Sequence, residues 1–210
     1  VAPQTAGTSV DFFARAVGEG LREQWDIPIV VDNRPGAGGS IGLDIVAKAA
    51  ADGYTLTLTT EGSLTIVPHL YHNLKYNSLK DFSPVTRVAT APYVLVINPS
   101  VQANSVKDLI ALAKAKPGSI NFASGGNGTG THLSGELFKL MAEINIVHIS
   151  YRGMAPALTD VMGGQVQMLF VGLPPVLAQI KSGRLRPLAV TTQARSSLLP
   201  EIPTVNEGGL

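Results

Sequence analysis

The stretch Ile120-Asn121-Phe122-Ala123-Ser124-Gly125-Gly126-Asn127-Gly128-Thr129-Gly130-Thr131-His132 begins as a short apolar run and passes through four glycines. It ends where Leu133, Leu137, Leu140 and Met141 recur at helical spacing. A strand that turns into a helix in this way is the repeating unit of α/β folds. The turn aims free backbone N–H groups and the positive end of a helix dipole at one spot, which favours an anion. Glycines let the backbone approach a ligand closely, and Ser, Thr and Asn add side-chain hydrogen bonds. A tight turn with Thr129 or Thr131 as helix cap is the plainer reading of the same residues. The stretch is not a dinucleotide fingerprint, because Thr131 stands where a third glycine is needed, and no Gly-Lys dipeptide exists for a phosphate loop of the Walker kind.

Outward from this turn the chain keeps alternating. Towards the C-terminus come strand Ile146 to Ile149, helix Ala155 to Met162, strand Val166 to Val171, helix Pro175 to Ile180 and strand Arg186 to Thr191. Towards the N-terminus lies a helix with Val106, Leu109, Ile110 and Ala113 inward, opened by Ser105 and Asp108 in a capping box and stopped by Pro117-Gly118. Strands are expected at Ile27 to Val31, Tyr54 to Thr60, Val85 to Ala91 and Tyr93 to Ile97, and a short helix at Ile41 to Ala50. The first helix shows Val10, Phe13, Ala14, Val17 and Leu21 on one face, with Thr8 or Ser9 as cap. Alternation of this kind predicts α/β architecture with mostly parallel sheets and helices on both faces. A break at Asn98 to Ser105 divides the chain into two lobes of similar size.

Composition removes several function classes. Sixteen Lys and Arg against fifteen Asp and Glu leave a net charge of +1, without the basic excess that nucleic acid requires. Mean hydropathy of +0.21 excludes a disordered chain, and no apolar run approaches the roughly 18 residues of a membrane span, so the chain reads as soluble. The absence of Cys removes disulfides, thiolate metal sites and Cys nucleophiles together. Val1 is not a Met and Glu207-Gly208-Gly209-Leu210 is a turn signal, so both ends read as cut, with no signal peptide in view.

A second loop of the anion-favouring kind opens the chain at Pro3-Gln4-Thr5-Ala6-Gly7-Thr8-Ser9-Val10-Asp11, ahead of the first helix. Two such loops, one per lobe, would face each other across a cleft. Gly38-Gly39-Ser40-Ile41-Gly42 matches the G-x-S-x-G of a hydrolase nucleophile elbow, and Asp81 or Asp108 with His132 or His148 offers a triad in the right order. An elbow needs its strand to run straight into the Ser, and Asp32 to Ala37 intervene, so Ser40 reads better as a helix cap. His69 and His72 lack a third metal ligand; His132 is placed to cap or line the glycine turn; His148 and Trp25 read as core.

At these loops the sequence resembles the Bug/TctC family of extracytoplasmic solute receptors, the binding components of tripartite tricarboxylate transporters. The resemblance covers essentially the whole chain. Asp32-Asn33-Arg34-Pro35-Gly36-Ala37-Gly38-Gly39, Asp52-Gly53-Tyr54-Thr55-Leu56, Leu79-Lys80-Asp81-Phe82-Ser83-Pro84-Val85, Ser124 to His132, Ala155-Pro156-Ala157-Leu158-Thr159-Asp160, Gly163-Gly164-Gln165-Val166 and Ile202-Pro203-Thr204-Val205 stand in the family's order.

The resemblance implies a two-lobed periplasmic-binding-protein fold (type II), with residues 1–98 plus 192–210 as an incomplete first lobe and 99–191 as the second. It implies a periplasmic, monomeric binding protein, not an enzyme, that takes no cofactor and no metal. Its partners would be a small organic carboxylate and the transporter's membrane subunits. Ligand contacts implied are Thr5, Ala6, Gly7, Thr8 and Ser9 on one side, and Ser124, Asn127, Gly128, Thr129, Thr131 and His132 on the other, with Ser63 as a neighbour. Asp11 is implied to be structural. The first loop departs from the family, which usually has Gly-Gly where Gly7-Thr8 stands. Several relatives carry Asp where Val171 follows Phe170, and that Asp can pair with a ligand ammonium. Val171 therefore implies a ligand without an amino group, such as a plain or aromatic carboxylic acid, unless its side chain points into the core, where it says nothing of the ligand. The remaining alternatives are a hydrolase through Ser40 and an anion-binding domain without a transport role.

Overall fold

The computed structural model describes all 210 residues, Val1–Leu210. Its centre is one five-stranded sheet in the order β3-β2-β4-β1-β5. The strands are β1 (Tyr93–Ile97), β2 (Asn121–Ser124), β3 (Val147–Ser150), β4 (Met168–Gly172) and β5 (Arg186–Val190). The helices are α1 (Ser9–Trp25), α2 (Ser40–Ala47), α3 (Glu61–Thr65), α4 (Val67–Leu70), α5 (Val106–Ala115), α6 (Gly130–Ala142), α7 (Met154–Met162) and α8 (Leu177–Lys181).

Helices cover both faces of the sheet, as the alternation predicts. On one face Leu109 of α5 and Phe138 of α6 join Leu95, Ile97, Phe122, Met168 and Phe170 in one core. On the other, Ala157 and Val161 of α7 join Val94, Val96, Ala123, Leu169 and Val171. Successive residues of β1 and β4 go to opposite cores, the two-residue period of a strand buried on both sides. Phe122, Phe170 and Leu95 are each no more than 2% exposed, and full burial of such a side chain contributes about 1.5–3 kcal/mol.

Four strands run the same way, with β2 parallel to β3 and to β4. β1 is the exception, antiparallel to both β4 and β5. The chain reaches this sheet at the end where β4 stops, Tyr93 lying opposite Gly172. The strand therefore has to run away from that end. Tyr93–Ile97 thus lies inside the sheet, although the sequence division places it with the first lobe. Thr204, beyond the expected division at 192, also bridges to Val190 of β5.

Residues 1–92 depart most from expectation. Ile27 to Val31, Tyr54 to Thr60 and Val85 to Ala91 form no strands. Val1 and Ala2 run between the first two segments: Ala2 N–H donates to Asp32 O at 2.8 Å, Arg34 N–H to Ala2 O at 2.9 Å and Leu58 N–H to Val1 O at 3.3 Å. The pairing is an isolated bridge, Ala2 with Asn33. Val85, 84% exposed, has no neighbouring strand at all. Of the expected inward face of α1 only Val10 is buried, and Trp25 is 52% exposed rather than core. No helix is long and apolar enough to cross a membrane.

Candidate functional site

Three helices, α1, α6 and α7, begin at one cavity of about 310 Å³, lined by their first residues and by the ends of β1 and β4. The first turn of a helix leaves backbone N–H groups unpaired. Here those of Ser9 and Val10 in α1 and of Gly130 and Thr131 in α6 have no partner within the protein. No Asp, Glu, Lys, Arg or His lines the cavity. Its electrostatics are set by converging helix dipoles, which favour a negative charge by about 0.3–1 kcal/mol each and more when partly buried.

The starts of α1 and α6 are fixed by their own sequences. Thr8 caps α1: its Oγ1 accepts from Asp11 N–H at 3.4 Å and donates to Thr5 O at 2.9 Å. Asp11 returns the contact, Oδ2 accepting from Gly7 N–H at 2.9 Å and Oδ1 from Asn33 at 3.0 Å. Burial pushes the Asp11 carboxyl up, but the bonds from Arg15, Gly7 and Asn33 outweigh it and hold the group below the usual range. The Asp11 carboxylate is thus bonded by Gly7, Arg15 and Asn33. The second loop turns through Gly126 and Gly128, at φ of 129° and 81°, a region that favours glycine. Thr129 then caps α6, Oγ1 accepting from His132 N–H at 3.4 Å and donating to Gly126 O at 2.7 Å. Thr131 Oγ1 lies 2.9 Å from Thr129 Oγ1 and accepts from Gly125 N–H. The start of α7 is tied to the first loop, Ala155 N–H donating to Thr5 Oγ1 at 3.3 Å.

The implied contacts separate into two groups. Ala6, Gly7, Thr8, Ser9, Thr129, Thr131 and Val171 line the cavity. Thr5, Ser63, Ser124, Asn127, Gly128 and His132 do not. Thr5 is turned to α7; Ser63 is fully buried, donating to Gly38 O at 2.7 Å; Asn127 is exposed. Ser124 Oγ shares a 2.6 Å hydrogen bond with His148 Nε2 and accepts from Gly126 N–H. Gly128 N–H donates to His132 Nδ1. These residues brace the second loop from behind. The motif reading missed Gln4, Tyr93 and Met154. Gly153-Met154 follows a strand through a glycine into a helix, the same signal as at Gly130, and was legible.

The two histidines behind the loop form a stack. His132 and His148 lie 4.2 Å apart at 30°, with Phe122 stacked on the far side of His148. Burial, and then the positive charge a protonated His132 would carry, lower the His148 pKa to about 4; burial lowers that of His132 as well. Ligating atoms of His132, Glu136 and His148 lie within 4.8 Å of one another. Stacked rings direct their in-plane lone pairs side by side rather than at one point. His132 Nδ1 also accepts a hydrogen bond, which leaves the ring proton on Nε2. This arrangement does not fit a metal ion. His69 and His72 are both exposed. Ser40 is the first residue of α2 rather than its cap, which is Gly39, and Ser40 bonds no histidine. It has neither the base nor the strained strand-to-helix turn of a nucleophile elbow.

Comparison with known proteins places this arrangement. The family model for the tripartite tricarboxylate transporter family receptor, TctC, matches residues 13–210. Protein BugT of Bordetella pertussis is 41% identical over 210 residues, all of this chain and 64% of that protein. This chain therefore spans less than two thirds of that relative. Among solved structures, a periplasmic transporter superimposes with a TM-score of 0.95 at 36% identity, over 99% of this chain and 70% of that one. A protein of R. palustris solved with adipate gives 0.92 at 35% identity, over 100% and 71%. MatC from Rhodopseudomonas palustris with bound malate gives 0.90 at 25%, over 100% and 72%. Motif order, mixed sheet and family match agree: the chain belongs to the TctC family of tripartite tricarboxylate transporter receptors.

Proposed function

We propose that this chain captures a small organic carboxylate in the cavity where α1, α6 and α7 begin, as the binding part of a periplasmic receptor that delivers it to the membrane subunits of a tripartite tricarboxylate transporter. The observation that carries the reading is the convergence of unpaired N–H groups from Ser9, Val10, Gly130 and Thr131 on an uncharged cavity. The adipate and malate of two structural neighbours are both carboxylates. No covalent chemistry is part of this reading. The ligand sits between residues 1–92 and the sheet that starts at Tyr93, and the lobe division falls ahead of β1 rather than at Asn98. Lobe closure over the ligand would exclude water and add the second set of contacts.

The cavity also bears on ligand class. Val171 lines it, and no carboxylate does, so a ligand ammonium would lose its water without gaining a partner, at a cost of several kcal/mol. A thermal-shift screen of the full-length protein against mono-, di- and tricarboxylates tests the reading. A ligand at 100 times its Kd stabilises by about 2.7 kcal/mol. Succinate is expected to shift the melting temperature more than aspartate. A flat profile across all carboxylates overturns the reading, and a larger shift with aspartate overturns the exclusion of amino acids.

A further inference from the structure

The turn that opens α6 is braced from behind. Gly125 N–H donates to Thr131 Oγ1, Gly126 N–H to Ser124 Oγ and Gly128 N–H to His132 Nδ1, each at 3.2 Å. Ser124 Oγ lies 2.6 Å from His148 Nε2, so two of the three braces end on the histidine stack. A neutral imidazole offers one acceptor nitrogen, whereas a protonated one offers two donors and no acceptor. A proton on His132 Nδ1 therefore sets one N–H against another and breaks the bond from Gly128. A proton on His148 makes Nε2 a donor to Ser124 and turns the Ser124 hydroxyl towards Gly126 O at 3.4 Å. Glu136 and Lys139, both on α6, are the charged side chains that act on the pair. β2 sets Phe122 and Ser124 against it, which carry no charge.

We infer that His132, with His148 behind it, is a positioning residue for the ligand site and acts through Gly128 only while neutral, so that acid weakens ligand binding. This rests on the carboxylate reading above. Neither histidine lines the cavity. Gly128 instead precedes Thr129 and the free N–H groups of Gly130 and Thr131, whose direction the turn sets. Burial lowers the pKa of both rings, which keeps the pair neutral near neutral pH. If the bound state holds fewer protons than the free one, affinity is full above the His132 pKa of the free protein and falls as pH drops through it. A bare positive charge beside the site would act in the opposite sense, because it attracts a carboxylate more strongly in acid.

Calorimetry with succinate on the full-length protein, at about pH 7.5 and about pH 4.5, compares the wild type with His132→Asn and His132→Leu. Asn offers an acceptor oxygen close to the place of Nδ1 and does not titrate; Leu offers none. At the higher pH, His132→Asn is expected to bind within about threefold of the wild type and His132→Leu about fivefold or more weaker. Succinate's own titration acts on all three alike. Between the two pH values the wild type should therefore lose at least about threefold more affinity than His132→Asn. An equal or smaller loss in the wild type overturns the inference. In the free wild type, the Gly128 amide proton should shift with the same pH midpoint as the His132 ring. A Gly128 amide indifferent to that titration overturns the brace even if neither variant folds. Failure to bind succinate or any other carboxylate at the higher pH overturns the carboxylate reading instead, and the Gly128 titration still decides for or against the brace.

Discussion

Thr129 lines the cavity, yet its side chain is engaged inside its own turn. Its hydroxyl accepts from His132 N–H, donates to Gly126 O and meets Thr131 Oγ1, which leaves nothing for a ligand. Thr129→Val should therefore lower stability by about 0.5–2 kcal/mol, the loss of a helix cap, and leave carboxylate affinity within about twofold. Chemical denaturation and calorimetry on the one variant check this. Loss of affinity at unchanged stability would return Thr129 to the ligand. The same distinction runs through Ser124 and His132, which the glycine-rich motif includes but the fold turns to the back of the loop. Type and spacing in sequence identify a turn. They do not say which way each hydroxyl points, because the direction depends on strands β2 and β3 meeting far along the chain.

Helix α6 and strand β3 show the same limit among elements. Both were legible, one from leucine spacing and the other from a β-branched run, as were α5, α7, β4 and β5. The link between them, His148 under the Ser124 turn and stacked on His132, was not. Ile27 to Val31 and Tyr54 to Thr60 carry strand-like residues, but a strand needs a partner, and what links these two segments is a few backbone bonds through Val1 and Ala2. The histidine stack has a consequence in pH. The folded His148 pKa of about 4 lies below the ordinary value of 6.5. Between the two, the unfolded chain holds more protons, so stability present above about pH 6.5 falls as pH drops towards 4 and levels off below it. Melting temperatures across that range should fall in the wild type and fall less in His148→Gln. An equal slope in both would remove His148 from the account.

In the whole molecule, the sheet and its two cores supply the rigid part, and the proposed ligand cavity sits at one end of it. β2 and β4 deliver their loops there, and β1 starts there, which is why Tyr93 reaches the cavity. Residues 1–92 add α1 from outside, tied across by Thr5 to Ala155. The N–H groups of Ser9, Val10, Gly130 and Thr131 are then among those available at an uncharged site, an anion-binding arrangement that needs no basic residue. Amide proton and nitrogen shifts of the full-length protein, followed as succinate is added, test this most directly. The account predicts that Ser9, Val10, Gly130 and Thr131 shift together along one saturating curve. Saturable binding that moves other amides and leaves these four in place would contradict it.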